Sequence, residues 1–430
     1  MSHLETGDIA AIKNRGQQRV FAICNFLDVL DENIARLSFS AETLCTYKEK
    51  TLEENRDRWN DQDPAIQKVI AQLFAAAEKS LENPLYSVTY KTTLPPSGDI
   101  HDYWHPAPYW WPNPDTDDGL PYVRRDGERV EGTRMYEPAS DRYDRTRLQQ
   151  MFDETITLAL AWYFSGNLAY AERGAALLRT WFIDPETRMN PHLQYSQVRL
   201  GHYDNQGSNF GVIETKDFYF LLDAVRLLER SEKWTVDDKK SLQDWLSEFR
   251  LWLEESPQGQ KELKEKNNHG TCFDLQLASI CAYLDDVRSL SHIFQRSQLR
   301  ITQQIASTGE QPEELRRTTT AHYCAFNLQS LVNLARLADC IDYDLWAVES
   351  HDGSSLNQAL KWLVPFYGRD WPFKQIDPFD SDRLLPLYWT AKHQYPGANI
   401  KPLKAVPDIY HAKAVFFPHD GIRPYWNLGF

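Results

Sequence analysis

Apolar residues recur at three- and four-residue spacing along most of the chain, the signature of amphipathic helices. Ile9, Ile12, Val20, Ile23, Phe26 and Leu27 predict one or two helices over 8–35. Ile66, Val69, Ile70, Leu73 and Phe74 predict a stronger one over 64–81, with Pro64 suited to its first turn. Beyond Asp144 the pattern predicts helices over 148–164, 168–182, 214–228, 236–253, 268–284, 290–305, 320–340 and 356–367, and a short one at 382–394. Ser165-Gly166-Asn167 stops one of them, and Gly309-Glu310-Gln311-Pro312 breaks another. This makes about ten to twelve paired helices with short connections, little strand signal and no repeat of the solenoid kind. Periodicity alone predicts a mainly α chain forming one large domain over 1–430.

Two stretches break the helical pattern. Residues 84–145 are rich in Pro, Gly, Asp and aromatics, with turn chemistry at Pro95-Pro96-Ser97-Gly98 and Pro112-Asn113-Pro114-Asp115. A loop of this length in a compact protein is functional or disordered, and its many Trp and Tyr favour an ordered active-site loop. It carries His101, Tyr109, Trp110 and Trp111. His101 is either a structural histidine that fixes the loop or a substrate contact. The second stretch, 370–430, reads as a tail wrapping the body. A further loop, Asn190-Pro191-His192-Leu193-Gln194, offers Asn190, His192 and Gln194 as candidate sugar contacts, or as caps between helices.

Composition narrows the function. The chain has 430 residues, 42% hydrophobic and 25% charged, an ordinary soluble composition. Its formal net charge of −14 argues against nucleic acid as a partner. An acidic surface still permits an acidic polysaccharide, because the field in a cleft is set locally. The 14 Trp and 21 Tyr suit both a large core and a groove where flat rings stack on pyranoses. Six cysteines, none in a CxxC pair, predict no metal site and no disulfide framework. No apolar run approaches the roughly 20 residues of a membrane span. The first eight residues show no signal peptide, so the expectation is an intracellular chain, or a secreted one with its signal removed. Oligomeric state is left open.

Two polar stretches carry candidate chemistry: Asn267-Asn268-His269-Gly270, and Arg316-Arg317 followed by Ala321-His322-Tyr323. Together they supply an amide, an imidazole, guanidiniums and a phenol. That set suits proton removal beside a carboxylate, where the carboxylate is first neutralised and a base then takes the proton. Asn267 or Asn268 also suits the cap of the next helix. Arg316 and Arg317 could equally pair with Glu313 and Glu314, and Tyr323 could be a buried helix tyrosine.

The same stretches resemble the alginate lyases of polysaccharide lyase family five. Asn268-His269 resembles their Asn-His pair, and Glu314-Leu315-Arg316-Arg317 with Ala321-His322-Tyr323 resembles their "E-L-x-R-R … A-x-Y" segment. The segments Ser97–Tyr103, Tyr109–Pro112 and Gly119–Tyr122 resemble the broader group that includes glucuronan and alginate lyases of family thirty-eight. The chain departs at Cys324–Gln329, where family five has "H-N-Y-A-L-P". The resemblance implies an incomplete (α/α) barrel, a toroid of helical hairpins, and metal-independent β-elimination on a 1,4-linked polyuronate without a cofactor. It implies Asn268, His269 and Arg316 as carboxylate neutralisers, Tyr323 as base and acid, and His269 as base for the inverted C5 configuration. Arg317 is a candidate substrate contact. Two other readings stand beside it: a glycoside hydrolase, for which Asp102, Asp153 and Glu154 are available, and a non-catalytic carbohydrate-binding protein.

Overall fold

The computed structural model describes residues 39–397, 421–422 and 424–428. The expected helices over 8–35 lie outside the described residues. Twelve α-helices follow: α1 Glu49–Asn60, α2 Pro64–Glu82, α3 Arg145–Ser165, α4 Leu168–Leu178, α5 Phe218–Leu228, α6 Val236–Glu255, α7 Pro257–Glu262, α8 Asn268–Tyr283, α9 Val287–Gln304, α10 Thr320–Ala338, α11 Leu356–Leu363 and α12 Leu385–Gln394. The periodic segments are helices within a few residues of their expected bounds. Two helices without a long apolar stripe, α1 and α7, were not legible in the periodicity.

Local chemistry sets the helix ends. Asp63 accepts from the Ala65 amide ahead of Pro64. The Thr235 and Asp238 side chains bond reciprocally to each other's backbone amides and start α6. Gly166, at φ 69°, ends α3 in the left-handed conformation that glycine adopts without steric cost.

Burial separates the helices into two layers. All eleven residues of α5 are buried, as are sixteen of nineteen in α10 and fifteen of sixteen in α8. A helix apolar on every side is surrounded by protein. By contrast α6 buries only Leu242, Trp245, Leu246, Phe249 and Leu253 among twenty residues. The inner helices α3, α5, α8 and α10 pack in succession, α3 on α5, α5 on α8, and α8 on α10. Outer helices cover them: α2 and α4 on α3, α6 and α9 on α8, and α11 on α10. Short loops join α3 to α4 and α8 to α9, so the unit is the helical hairpin and the assembly an (α/α) toroid.

Strands are few and serve the loops. β1 Trp104–Pro106 pairs in parallel with β4 Tyr195–Val198, and β2 Trp110–Trp111 pairs antiparallel with β3 Val123–Arg124. The first pair ties the aromatic loop to the 190–211 loop. Gly207 and Gly211 allow this approach, since a Cβ on either would lie 2.2–2.3 Å from the Ser196 carbonyl oxygen. The expected loop 84–145 is therefore ordered. No helix among the described residues is long and apolar enough to cross a membrane.

Candidate active site

Tyr323 stands in the first turn of α10, its amide bonded to the Thr319 carbonyl. Its phenol oxygen accepts a 2.7 Å hydrogen bond from Arg317 Nη2 and lies 3.3 Å from the Tyr109 hydroxyl. The Arg317 guanidinium carbon sits 3.7 Å from the Tyr323 ring centre, so the cation stacks on the ring. Burial pushes the phenol above its usual range; Tyr109 adds to this, and Arg317 and Arg129 oppose it. Arg317 also donates to Asp126 Oδ1 at 3.2 Å, while its buried Nε has no hydrogen-bond partner.

The local backbone explains which arginine reaches the site. Glu314–Arg316 is a 3₁₀ turn, in which positions three apart share a face. Glu313 and Arg316 face outward: Arg316 is 72% exposed and pairs with Glu313 at 2.6 Å. Glu314 and Arg317 face inward. The expectation for Arg316 is therefore corrected, because the one-residue step hands its place beside Tyr323 to Arg317.

Glu314 links the two polar stretches. One carboxylate oxygen accepts the Asn268 amide at 2.7 Å and the other accepts Asn268 Nδ2 at 2.8 Å. Asn267 caps α8 by accepting from the His269 amide, and the Asn268 Oδ1 is buried without a partner. His269 is the one residue of α8 that is not fully buried. Its Nδ1 lies 2.6 Å from Glu262 Oε1, and its ring packs 4.7 Å from Phe210.

The aromatic loop reaches the same region. Tyr109 touches Tyr323 directly. Trp110 lies under the Arg199 guanidinium at 4.6 Å, and Arg199 also covers Phe210 at 5.1 Å. A stack of Trp110, Arg199 and Phe210 thus leads to His269. Trp111 donates to the Glu128 carbonyl and has Arg125 over its ring at 5.2 Å.

Three expected sugar contacts belong to a separate cluster that ties loops together. His101 Nδ1 bonds the Arg188 carbonyl, and Asn190 Nδ2 donates to both Asp99 and Asp102. His192 Nε2 lies 3.0 Å from Asp102 Oδ1. Burial raises the Asp102 carboxyl, but His192, Asn190 and Ser97 outweigh it and bring it down to about 2. Gln194 is half-buried and bonds through its backbone, accepting from the Gly207 amide. Of the candidate hydrolase acids, Asp102 is tied up here. Asp153 accepts from Tyr136 and Gln149, and Glu154 from Tyr86 and Asn83.

The alginate lyase family model matches residues 87–372. The chain belongs to the alginate lyase family. An alginate lyase from Bacteroides ovatus is 34% identical, with 83% of this chain and 93% of that one covered and a TM-score of 0.78. Alginate lyase A1-III from Sphingomonas species A1 is 13% identical over 83% of this chain and 94% of that one, with a TM-score of 0.50. The second likeness shows the fold alone. No curated protein matches. As a member of this family the chain is a polysaccharide lyase, built on the toroid.

The lyase carries cations that motif reasoning missed. Arg129 lies 5.3 Å from the Tyr109 ring centre. Arg145 pairs with Glu214 at 2.9 Å, and Glu214 also receives Gln197 and faces His105 at 3.4 Å. His322, beside Tyr323, meets Arg383 at 3.1 Å. Burial, then Arg383, Arg129, Arg317 and Lys216, push the His322 ring down to about 3, so it is neutral at ordinary pH. Arg383 contacts this ring and the other three cations act on it electrostatically, with Lys216 paired to Asp217 and Arg317 to Asp126. Only the fold gathers them, since they come from positions 129, 216, 317 and 383. No group of three or more His, Cys, Asp or Glu able to hold a metal occurs among the described residues.

Proposed function

We propose that this lyase cleaves a 1,4-linked polyuronate, alginate first among them, by β-elimination at the site around Tyr323. The observation that carries the reading is the Arg317–Tyr323 contact: a stacked guanidinium bonded to a buried phenol, with its own Nε left unpartnered. A uronate carboxylate beside the Arg317 guanidinium would be neutralised where charge builds up as the C5 proton leaves. Asn268, held by Glu314, supplies a second amide hydrogen, and Arg129 and Lys216 add positive field. Burial keeps the Tyr323 phenol protonated in the free protein, which suits it to give a proton to the departing O4. The C5 proton goes to His269, or to Tyr323 itself where the C5 hydrogen faces the phenol. In the second case Arg317 and Arg129 supply the stabilisation of the phenolate. The C5–H electron pair becomes the C4–C5 double bond and the C4–O4 bond breaks. Tyr109, Trp110 and Trp111 line the approach of the acidic polysaccharide. The helical body, the aromatic loop and the C-terminal segment act as one catalytic unit, and no metal is required.

The bond changes dictate the test. Polymannuronate, polyguluronate and glucuronan are incubated with the protein and a chelator while ultraviolet absorbance is followed. A rise marks the conjugated unsaturated uronate that elimination alone produces. The expected result is a rise on the alginate polymers that Tyr323→Phe lowers by about 10²- to 10⁴-fold, the range of acid–base catalysis. New reducing ends without absorbance would instead make the protein a hydrolase.

A further inference from the structure

We infer that Glu262 is the positioning residue that makes His269 a base through Nε2, an assignment resting on the lyase reading above. Glu262 ends the short helix α7, and its side chain is fully buried. Its Oε1 lies 2.6 Å from His269 Nδ1. A neutral imidazole carries one N–H, and a carboxylate is acceptor-only. The hydrogen therefore sits on Nδ1, and the lone pair is left on Nε2. When Nε2 takes the C5 proton, the new imidazolium already has a buried counter-charge in contact.

The surrounding chain holds Glu262 in this place from several sides. Ser256 accepts from the Gly259 amide and starts α7 at Pro257. Gly259 lets α7 touch the end of α6, since a Cβ there would lie 1.9 Å from the Leu253 carbonyl oxygen. Arg300 donates to the Leu263 and Glu265 carbonyls just beyond α7, while its Nε bonds Asp274 in α8. Gly270 is required at this crossing, because a Cβ would meet the Glu265 oxygen at 2.1 Å and Arg300 at 2.2 Å. Asn209 Nδ2 bonds Glu262 Oε2 at 3.0 Å and Glu265 at 3.0 Å, which fixes the carboxylate plane. The charged groups facing His269 are Glu262 from α7, Glu314 from the turn before α10, and Arg199 across Phe210. Glu262 alone of these bonds the ring. The elimination itself needs only a base, and a lone imidazole would exchange its two tautomers. This scaffold selects one.

The test reads the tautomer and the rate separately. Nitrogen NMR is run on protein with isotope-labelled histidine, with the His269 signal assigned by its loss in His269→Ala. The expected wild-type spectrum has hydrogen on Nδ1 and a bare Nε2. Glu262→Gln is expected to mix the tautomers and lower kcat on the cleaved polyuronate by about 10²-fold or more, the lower end of general-base catalysis, with KM changed little. Glu262→Asp, which keeps the charge, is expected to retain Nδ1–H and part of the rate. Hydrogen on Nε2 in the wild type overturns the inference, as does wild-type kcat in folded Glu262→Gln. If the Gln variant does not fold, the wild-type spectrum and the Asp variant decide. The expected tautomer in a protein that cleaves no polyuronate sinks the lyase reading alone.

Discussion

At the residue scale, one position separates a site arginine from a surface one. Arg316 and Arg317 are adjacent and chemically identical, yet the 3₁₀ turn sends one to solvent and the other onto Tyr323. The chain offered both, Arg316 as a carboxylate neutraliser and Arg317 as a substrate contact, and the structure places Arg317 against Tyr323. Side-chain direction in a single short turn is set by tertiary packing, which motif spacing does not encode. Arg316→Ala should leave kcat/KM within about twofold, because an exposed ion pair contributes under about 1 kcal/mol. Arg317→Ala should lower kcat by about 10²- to 10³-fold, the loss typical of one electrostatic donor. Initial rates of absorbance rise on the cleaved polymer check both. Equal losses in the two variants would contradict the division of roles.

At the element scale, the long helices were legible from apolar residues at helical spacing, although the inner ones are buried on nearly every side rather than along a stripe. The order of the aromatic loop was legible from its Trp and Tyr content. What could not be read was how the loops use their polar groups. Asn190, His192 and His101 have the side chains of sugar contacts, and in the structure Asn190 and His192 bond Asp102 while His101 bonds the Arg188 carbonyl. Helix α7 was missed because six residues are too few to show a period, although Ser256-Pro257 is a good start signal. The Asp102 knot has a pH consequence. Its carboxyl falls to about 2 in the folded protein, against about 3.9 in an unfolded chain. A lowered folded value contributes stability above pH ~3.9 that disappears as pH falls toward 2. Asp102→Asn should therefore cost about 1–2 kcal/mol at neutral pH and flatten the fall in stability across that window. Urea midpoints measured at steps of pH give the slope. Asp238, also brought to about 2 by Arg179 and the Thr235 cap, keeps part of the acid sensitivity in both proteins.

At the scale of the whole molecule, the ring of helices has to be closed by segments far apart in sequence. Asp223 on the fully buried α5 accepts the consecutive amides of Cys45, Thr46 and Tyr47 and pairs with Arg226. That fixes the chain ahead of α1 against the inner layer. From the other end, Tyr425, Trp426 and Leu428 enter the core, and Asn55 of α1 donates to the Leu428 carbonyl. Asn333 of α10 donates to the Gly421 carbonyl. The C-terminal segment thus bridges α1 and α10, helices far apart in sequence. Part of the expected tail, 398–420, lies outside the described residues, but the described end is an integral piece of the core. Trp426 is 1% exposed, so Trp426→Ala leaves a cavity and should cost about 3–5 kcal/mol. If the segment closes the ring, far-ultraviolet and near-ultraviolet circular dichroism will lose their signals in one transition at a lower midpoint. A segment that merely lies on the surface would give two transitions, with the helical signal melting where the unmodified protein melts. The substitution removes core packing and none of the side chains placed around Tyr323, so kcat well below the transition should be unchanged. This separates the architecture that holds the site from the side chains that carry the reaction.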